Sequence, residues 1–463
     1  MSIAWGGGVR RGAALLALSM ALSIPRGGSA QEPCFGDCNL DGMVLINEVI
    51  IGVNIALTTL PPSACGGMLC EEAPVDIACL TTMVNNVLGG CPTTPATSDT
   101  IFNAEENRLH AYQQTAAGLA HQIVIPSHDD APENNKGRDI NGQICFTRGP
   151  AGQLRLIAGE DTNQQQGHAV AGWGLFELTG SGVDFQYEQI GKLIPTYQMG
   201  GDDAENYGCG FLHDGRLVTT DVGAQAFGNG NGQLIIWFPP FDTGVDFTPT
   251  GVEPLTPVKY CKLDVTIGTA QQIAIDDQDR IYVSSSRPNG LGSPGGVYRY
   301  TGPFPTSDRP EDGCDGIDGE GSPMATHVDK ELFIPAGTAS GLATPAGVVI
   351  KPDGGFYVAS VLTGVIAEYD NLGQFMRRVL DPPSPGLPIP TGSPLGLGLG
   401  SDGSLYFADI GLVADASCGI CPGNRTGTVR RLRFVDGVPQ VPEILRTGLD
   451  FPDGIGILTP DRP

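Results

Sequence analysis

The sequence predicts a mainly β protein: a six-bladed β-propeller that is closed by its N- and C-terminal strands and preceded by a small α-helical module. Three observations predict this. A short motif that opens an apolar strand recurs six times after residue 99, and the last copy has only one strand before the chain ends. Six of the 12 cysteines lie in residues 34–91. The 67 Gly and 37 Pro fall between short β-rich runs, which is typical of many tight turns.

Residues 1–30 have the features of a secretory signal peptide. Arg10 and Arg11 supply the positive start, residues 13–24 form an apolar run, and residues 28–30 are small, as at a cleavage site. The apolar run is too short to span a bilayer. The sequence therefore predicts a secreted protein, periplasmic or extracellular, with no membrane span.

The charge balance is strongly acidic. The chain has 51 acidic and 26 basic residues, and removing residues 1–30 moves the net charge from −25 to −28, because three Arg and no acid are lost. Such a charge argues against nucleic acid as a partner. Two interpretations stay open: a cationic partner such as a metal ion, or solubility outside the cell.

The uneven cysteine density predicts the domain boundaries. We assign residues 31–92 to a disulfide-rich module, 93–98 to a Pro/Thr linker and 99–463 to the propeller. Cysteines of exported proteins are typically paired. The candidate disulfides of the propeller are Cys145 with Cys209, Cys261 with Cys314, and Cys418 with Cys421.

A calcium-binding EF-hand loop is predicted at residues 37–48, which match D-x-[DN]-x-[DN]-G-x5-E. Ca²⁺ prefers six to eight oxygen ligands. The predicted ligands are the side chains of Asp37, Asn39 and Asp41, the carbonyl of Met43 and the carboxylate of Glu48. The alternative is a polar turn that matches by chance. Val49, Val53, Ala56 and Leu57 are expected to form the apolar face of the following helix.

A degenerate second copy follows at residues 75–88, with Cys79 where the closing acid should stand. The pair resembles the dockerin-like calcium module of exported bacterial proteins, through the first loop and residues 48–57. The resemblance implies docking onto a cohesin-like protein. Because the second loop departs from that pattern, a spacer or folding aid is the alternative.

Six repeats open on a triplet that mostly ends in Gly, and they lie 49 to 76 residues apart. Five continue into a second and a third strand, which is typical of a β-propeller. The sixth has only the strand after residue 452, and residues 101–105, 108–112 and 122–126 supply its other three strands. We therefore expect a blade built from both chain ends, which leaves no open sheet edge.

The first strand of each blade should line the central channel, so the middle residue of each triplet is predicted to lie at one mouth of it. These residues are Asn141, Tyr207, Ala270, Ala346, Leu395 and Asp453. The second strands return to the same mouth, which adds the residues at their ends, namely Glu160, Asp161, Asp221, Ser285, Ser360 and Asp409.

The repeats resemble those of the senescence-marker-protein/gluconolactonase and NHL-type propellers, chiefly at residues 345–360, 393–409 and 451–457. In the lactonase family a divalent ion at this mouth is held by a Glu, two Asn and an Asp. The resemblance implies Asp453 as metal ligand and catalytic residue, with Asn141 and Asn206 as further ligands. No triplet carries the Glu, and Glu160 or Glu205 is the substitute.

Two functions stay open at this point. One is a metal-dependent hydrolase of a small-molecule lactone or ester, with the metal polarising the carbonyl and an acid acting as general base. The other is a non-catalytic scaffold that recognises an extracellular ligand, with the calcium module as anchor or spacer. It is suggested by the apolar mouth positions. A third resemblance, to strictosidine-synthase-like propellers, concerns the fold alone.

Overall fold

The computed structural model divides the chain into two compact units, Met1–Pro95 and Ala96–Pro463. The described residues of the first unit are 36, 38, 44–61, 64, 65, 75, 80, 83, 84 and 87. Those of the second are 99–115, 118–128, 130, 138–160, 172–194, 206–222, 232–248, 251–286, 295–382, 392–416 and 419–459.

The first unit contains helix α1, Ile46–Ala56. Glu48 lies one turn inside the helix, and its carboxylate accepts hydrogen bonds from the backbone N–H of Leu45 and of Cys38, at 2.8 and 2.9 Å. A disulfide joins Cys38 to Cys65. These contacts satisfy a free N–H at the helix start and attach the helix to the preceding loop.

The second unit is a mainly β domain, with strands in chain order as follows. The first seven are β1 Thr100–Glu105, β2 Arg108–Thr115, β3 Gly118–Ile125, β4 Ile140–Arg148, β5 Leu154–Glu160, β6 Gly172–Ser181 and β7 Asp184–Leu193. The next are β8 Asn206–Phe211, β9 Leu217–Asp221, β10 Gly232–Phe238, β11 Val245–Thr248, β12 Gly251–Pro254, β13 Lys259–Ile267, β14 Ala270–Ile275, β15 Ile281–Ser285 and β16 Gly296–Thr301.

The chain continues through a short 3₁₀ helix, Pro310–Asp312, and further strands. They are β17 Gly316–Ile317, β18 Pro323–Met324, β19 Asp329–Pro335, β20 Pro345–Ile350, β21 Phe356–Ser360, β22 Val365–Tyr369, β23 Phe375–Leu380, β24 Pro394–Leu399 and β25 Leu405–Asp409. The last are β26 Leu412–Asp415, β27 Gly419–Pro422, β28 Gly427–Leu432, β29 Phe434–Val435, β30 Val438–Pro439, β31 Glu443–Leu449 and β32 Ile455–Leu458.

Six antiparallel sheets form the blades, so the predicted six-bladed propeller is confirmed. From the inner strand outward, blade 1 is β4-β5-β6-β7, blade 2 is β8-β9-β10-β13 and blade 3 is β14-β15-β16-β19. Blade 4 is β20-β21-β22-β23, blade 5 is β24-β25-β28-β31 and blade 6 is β32-β1-β2-β3. The inner strands contact one another in the order β4, β8, β14, β20, β24, β32 and back to β4, which closes the ring.

Blade 6 is built from both chain ends, as the sequence predicted. β32 pairs with β1, and the register places Phe102 opposite Gly456 and Asn103 opposite Ile455. Six hydrophobic clusters fill the spaces between neighbouring blades, one for each pair around the ring. Burial of apolar faces between the blades is the main stabilising contribution in such a fold.

Candidate functional site

The mouth of the channel is formed where inner strands begin and second strands end. The outermost pairs are Ile140 with Glu160, Asn206 with Asp221, Ala270 with Ser285, Pro345 with Ser360, and Pro394 with Asp409. A β-bulge follows each of these pairs. Both sets of predicted mouth residues therefore lie at one end of the channel in the described blades.

The Gly that ends five of the six triplets has a packing role. A Cβ on Gly142 would lie 2.6 Å from the carbonyl oxygen of Tyr207 in the next blade, and one on Gly396 would lie 2.4 Å from that of Asp453. Such distances are shorter than any real Cβ contact. The motif is therefore explained by the close approach of neighbouring inner strands, which only glycine permits.

Asp453 is buried, and it hydrogen-bonds the first and last blades together. Its Oδ2 accepts the backbone N–H of Gly142 in blade 1 at 2.9 Å, and its Oδ1 accepts that of Gly454 at 2.6 Å. Its carbonyl oxygen accepts the hydroxyl of Tyr207 at 3.0 Å. Burial, with a smaller effect of the Asp453 charge, raises the pKa of Tyr207 well above its ordinary value. Tyr207 therefore remains a hydrogen-bond donor at neutral pH.

The two asparagines that the resemblance implied as ligands differ in their surroundings. Asn206 is buried, and its Nδ2 donates to the carbonyl oxygen of Gly172 at 2.9 Å. The Oδ1 of Asn141 is buried and has no hydrogen-bond partner among the described residues. Gly159 packs against it, because a Cβ there would lie 2.4 Å from this oxygen and 2.7 Å from the Asn206 carbonyl. Asn141 is thus the mouth residue with a free oxygen.

Two other acids of the mouth, Glu160 and Asp409, have structural partners. Glu160 is buried, with its two oxygens 2.7 Å from Lys192 Nζ and from Gln189 Nε2. Asp409 accepts the backbone N–H of Ser393 at 2.7 Å and lies 3.0 Å from the Arg430 guanidinium. Glu160 is therefore not available as the substitute for the missing Glu. Asp161 and Glu205 lie outside the described residues.

Three of the mouth positions are packed together in an apolar cluster. Tyr207, Ala346 and Leu395 belong to one buried cluster that also includes residues following the second strands. Those residues are Val222, Val361, Ile410 and Leu412. The cluster spans blades 2, 4 and 5, so this part of the mouth is closed by side-chain packing.

Sequence reasoning missed two glutamines that cross the channel. Gln272 of blade 3 exchanges two hydrogen bonds with the backbone of Leu397 in blade 5, at 2.7 and 2.9 Å. Gln143 of blade 1 accepts the N–H groups of Cys209 and Ile273, both at 3.0 Å. No signal in the sequence separates them from surface glutamines, because their role depends on strands more than 60 residues away.

One disulfide joins the inner strands of blades 1 and 2, and another joins β13 of blade 2 to the connection between β16 and β19 of blade 3. Cys145 is bonded to Cys209, and Cys261 to Cys314. Both are pairs that the sequence analysis named. Cys421 is also disulfide-bonded, whereas Cys418 lies outside the described residues. Among the described residues, no three His, Cys, Asp or Glu side chains are grouped so that they could hold a metal ion.

The predicted calcium loop is described only at its end. Asp37, Asn39, Asp41 and Met43 lie outside the described residues, and Glu48 turns its carboxylate toward the loop through the bonds to Cys38 and Leu45. Both carboxylate oxygens of Glu48 thus accept backbone N–H groups in this structure.

The apolar face predicted for α1 was wrong in part. Val49 is buried, together with Gly52 and Ile55, whereas Val53 and Leu57 are exposed. The buried side is the one that packs against Met83 and the Cys38–Cys65 disulfide. Consequently an exposed stripe runs along the opposite side at i, i+4, i+7 and i+11 spacing: Ile46, Ile50, Val53 and Leu57.

The chain was compared with known proteins. No protein-family model matches it, and no curated protein matches it either. Among solved structures it is similar to regucalcin, a calcium-binding protein from Agrobacterium tumefaciens (14% identity, 68% of this chain and 79% of that chain, TM-score 0.40). It is also similar to a gluconolactonase from Xanthomonas campestris (12%, 67% and 83%, TM-score 0.36). A third is virginiamycin B lyase from Staphylococcus aureus (12%, 73% and 77%, TM-score 0.35). Nothing about the chemistry of this chain follows from likeness at this level.

Proposed function

We propose that this protein is an exported, non-catalytic β-propeller that serves as a binding or recognition scaffold. One observation carries the proposal. Asp453, the residue that the lactonase resemblance makes the metal ligand and base, uses both carboxylate oxygens and its carbonyl to hold Gly142, Gly454 and Tyr207. A carboxylate engaged by two backbone N–H groups is stabilised as an anion and is a poor general base.

The surrounding residues support the same conclusion. A hydrolytic site needs an acid or base with access to substrate and a cavity that holds the reacting bond. Glu160 and Asp409 are held by Lys192 and Arg430, and the apolar cluster around Tyr207 fills blades 2, 4 and 5 at the mouth. A ring closed in this way presents its faces and rim to a ligand while its centre provides rigidity.

Export is supported by the cysteines. Three disulfides join described residues, and they form in oxidising compartments. None of the described helices is long and apolar enough to cross a membrane. The signal peptide proposed at residues 1–30 lies outside the described residues.

The small module is proposed to bind Ca²⁺ through Asp37, Asn39, Asp41, the carbonyl of Met43 and Glu48. The match of residues 37–48 to the calcium-loop pattern supports this, together with the contact of Glu48 with Cys38 inside the loop, and the metal would order the loop ahead of α1. We expect Ca²⁺ to raise the far-ultraviolet helical signal of the full-length protein, and E48Q to abolish the change. E311Q, at an exposed position in the propeller, is the control. Identical spectra with calcium and with chelator would count against the calcium loop.

The exposed stripe of α1 supports docking of the module onto a cohesin-like protein. The module would then be the anchor of the scaffold. Ile46, Ile50 and Leu57 are each more than half exposed, which is unusual for a row of aliphatic side chains. In a titration with a purified cohesin module, I50E should weaken binding at least tenfold, whereas L60E, beyond the helix, should not. Equal binding by both variants would leave the module as a spacer.

A metal-dependent lactone or ester hydrolase is the second candidate. The observation that favours it is the partnerless Oδ1 of Asn141, beside the carbonyl of Asn206. Asn141, Asn206 and Asp453 would hold a divalent ion, which supplies polarisation of the substrate carbonyl when bound. Because Asp453 already accepts two N–H groups, this donor set fits a metal poorly.

A turnover assay with the full-length protein separates the two candidates. A panel of aliphatic and aromatic lactones is assayed with Ca²⁺, Zn²⁺ or Mn²⁺, and with chelator. The scaffold proposal predicts rates equal to those without protein under every condition. Metal-dependent turnover that disappears in D453N, with the fold intact by circular dichroism, would overturn it.

A further inference from the structure

Three titratable side chains lie together in blade 6, beginning with Glu105 at the mouth end of its second strand. Glu105 ends β1, His110 lies on β2 and His121 on β3. Cross-strand pairing places Glu105 opposite Arg108, two residues before His110, and His121 opposite Tyr112, two residues after it. Since side chains alternate along a strand, all three are on one face of the sheet.

That face forms the seam between blade 5 and blade 6. Tyr112 stacks on both histidines, with centroids 6.1 Å from His110 and 4.9 Å from His121. It also belongs to the hydrophobic cluster that joins the two blades, with Tyr406 and Val429 on the blade 5 side. The three groups therefore lie where the blade made from both chain ends meets its neighbour.

The contacts form a chain. His110 Nδ1 is 2.8 Å from His121 Nε2, and the rings are within 14° of parallel. The ring centroids are 5.1 Å apart, so the centroid distance is longer than the distance between the two nitrogens by about two ring radii. Both nitrogens therefore lie close to the line between the ring centres, and they point at each other as in a hydrogen bond. His110 Nε2 faces Glu105 Oε2 at 3.4 Å. Neither of these two buried atoms makes a hydrogen bond with a described residue, so each is open to the hydrogen bond that a slightly closer approach would form.

Burial shifts the pKa values of Glu105, His110 and His121 in the directions that favour their neutral forms. It raises the pKa of Glu105 to about 7, with help from the neighbouring Glu106 charge. Burial, and secondarily His121, lowers the pKa of His110 to about 3, and burial lowers that of His121. The charged or titratable groups around Glu105, His110 and His121 lie in the turn between β1 and β2, on β2, in the loop after β3, on β31 of blade 5 and between β31 and β32. They are Glu106, Arg108, Tyr112, Asp130, Arg446 and Asp450.

We propose that Glu105, His110 and His121 form a proton relay that couples closure of the propeller ring to pH. In the protonated state Glu105 donates to His110 Nε2, His110 Nδ1–H donates to His121 Nε2, and His121 keeps its proton on Nδ1. On deprotonation the Glu105 proton moves to His110 Nε2, the Nδ1 proton of His110 moves to His121 Nε2, and the Nδ1 proton of His121 leaves to water. Both rings stay neutral and exchange tautomers.

The pKa shifts of Glu105 and His110 change the stability of the seam in opposite directions as the pH changes. The pKa of Glu105 is raised, so its contribution is fully present below pH 4.5 and is lost as the pH rises through 7. The pKa of His110 is lowered, so its contribution is present above pH 6.5 and is lost as the pH falls toward 3. The seam is therefore most stable between about pH 4.5 and 6.5.

The first test compares wild type, E105Q and H110Q in urea unfolding between pH 4 and 8.5. Between pH 4.5 and 8, the unfolding equilibrium constant of wild type should rise roughly 10²-fold relative to that of E105Q, because the amide of E105Q cannot ionise. As the pH falls below 6.5, H110Q should become more stable relative to wild type. E311Q, at an exposed carboxylate of the propeller, should track wild type throughout. Parallel pH profiles for E105Q and wild type would overturn the proposal.

The second test needs no variant. In wild type with ¹⁵N-labelled histidine, the rings of His110 and His121 should both be Nδ1–H tautomers at pH 5.5 and both Nε2–H tautomers at pH 8.5. His213 should instead titrate as a cation, because its partner Asp279 raises its pKa. Rings of His110 and His121 that keep one tautomer over this range, or become cationic within it, would contradict the relay.

Discussion

Replacing Gly454 with Ala is expected to destabilise the ring by at least about 3 kcal/mol, at the upper end of what overpacking a core costs. Gly454 immediately precedes β32, at the junction of blade 6 with blade 1. A Cβ at this position would lie 1.5 Å from the carbonyl oxygen of Gly142 and 2.9 Å from the N of Gln143. Both neighbours are backbone atoms, so no side-chain rearrangement can relieve the clash.

The matched control is Gly319→Ala. Gly319 also has an ordinary backbone conformation, and a Cβ there would meet nothing within 4 Å. Urea unfolding of both variants at pH 6 checks the expectation. Equal unfolding free energies for G454A and G319A would mean that the two inner strands are farther apart than the structure places them.

Deleting residues 455–463 is expected to prevent folding of the monomer. The deletion removes β32, the inner strand of blade 6, so β1 loses its partner along Thr100–Asn103 and the contacts of β24 and β4 with the missing strand are lost. Ile455, which is buried in the seam with blade 5, is lost as well. The cost exceeds about 5 kcal/mol, which is comparable to the whole stability of an ordinary domain.

Deleting only residues 460–463 provides the control, since β32 then stays intact. Size-exclusion chromatography and near-ultraviolet circular dichroism distinguish the outcomes. The longer deletion should give aggregated protein without tertiary signal, and the shorter one a monomer like wild type. A folded monomer from the longer deletion would show that ring closure does not depend on β32.

The ring could be predicted from the sequence because its cause is local and repeated. Five of the six triplets place a Gly where neighbouring inner strands approach closely, and an apolar strand follows the triplet. The solitary strand after Asp453 required partners, and residues 101–126 were the stretch that could supply them. Local requirements of this kind produce a repeated pattern in the amino-acid sequence.

The chemistry of the mouth could not be predicted in the same way. Residue type places a carboxylate at position 453, but it does not tell whether its oxygens face an open cavity or the N–H groups of Gly142 and Gly454. Similarly, Glu160 is paired with Lys192, a residue on the fourth strand of its blade. Such partners are set by the packing of strands, for which one sequence carries no signal.

The helix α1 illustrates a further limit. Its apolar residues occur all around the helix, so their periodicity does not define one buried face. Which side is buried depends on Met83, which is distant in sequence from the helix, and on the Cys38–Cys65 disulfide, whose cysteines lie on either side of the helix in the chain.

The role of Asp453 is tested most directly by the calcium dependence of its stabilising effect. The measurement is the unfolding free energy of D453N against Asp453, both in the E48Q background so that the calcium loop is disabled, with Ca²⁺ and with chelator. If Asp453 holds the ring, D453N costs about 1–3 kcal/mol, because two backbone N–H groups lose a charged acceptor, and the cost is the same in both conditions. If Asp453 holds a metal, the cost grows with calcium concentration, because a ligand stabilises only the protein that binds it. A calcium-dependent cost would contradict the scaffold account, and an unchanged one would support it.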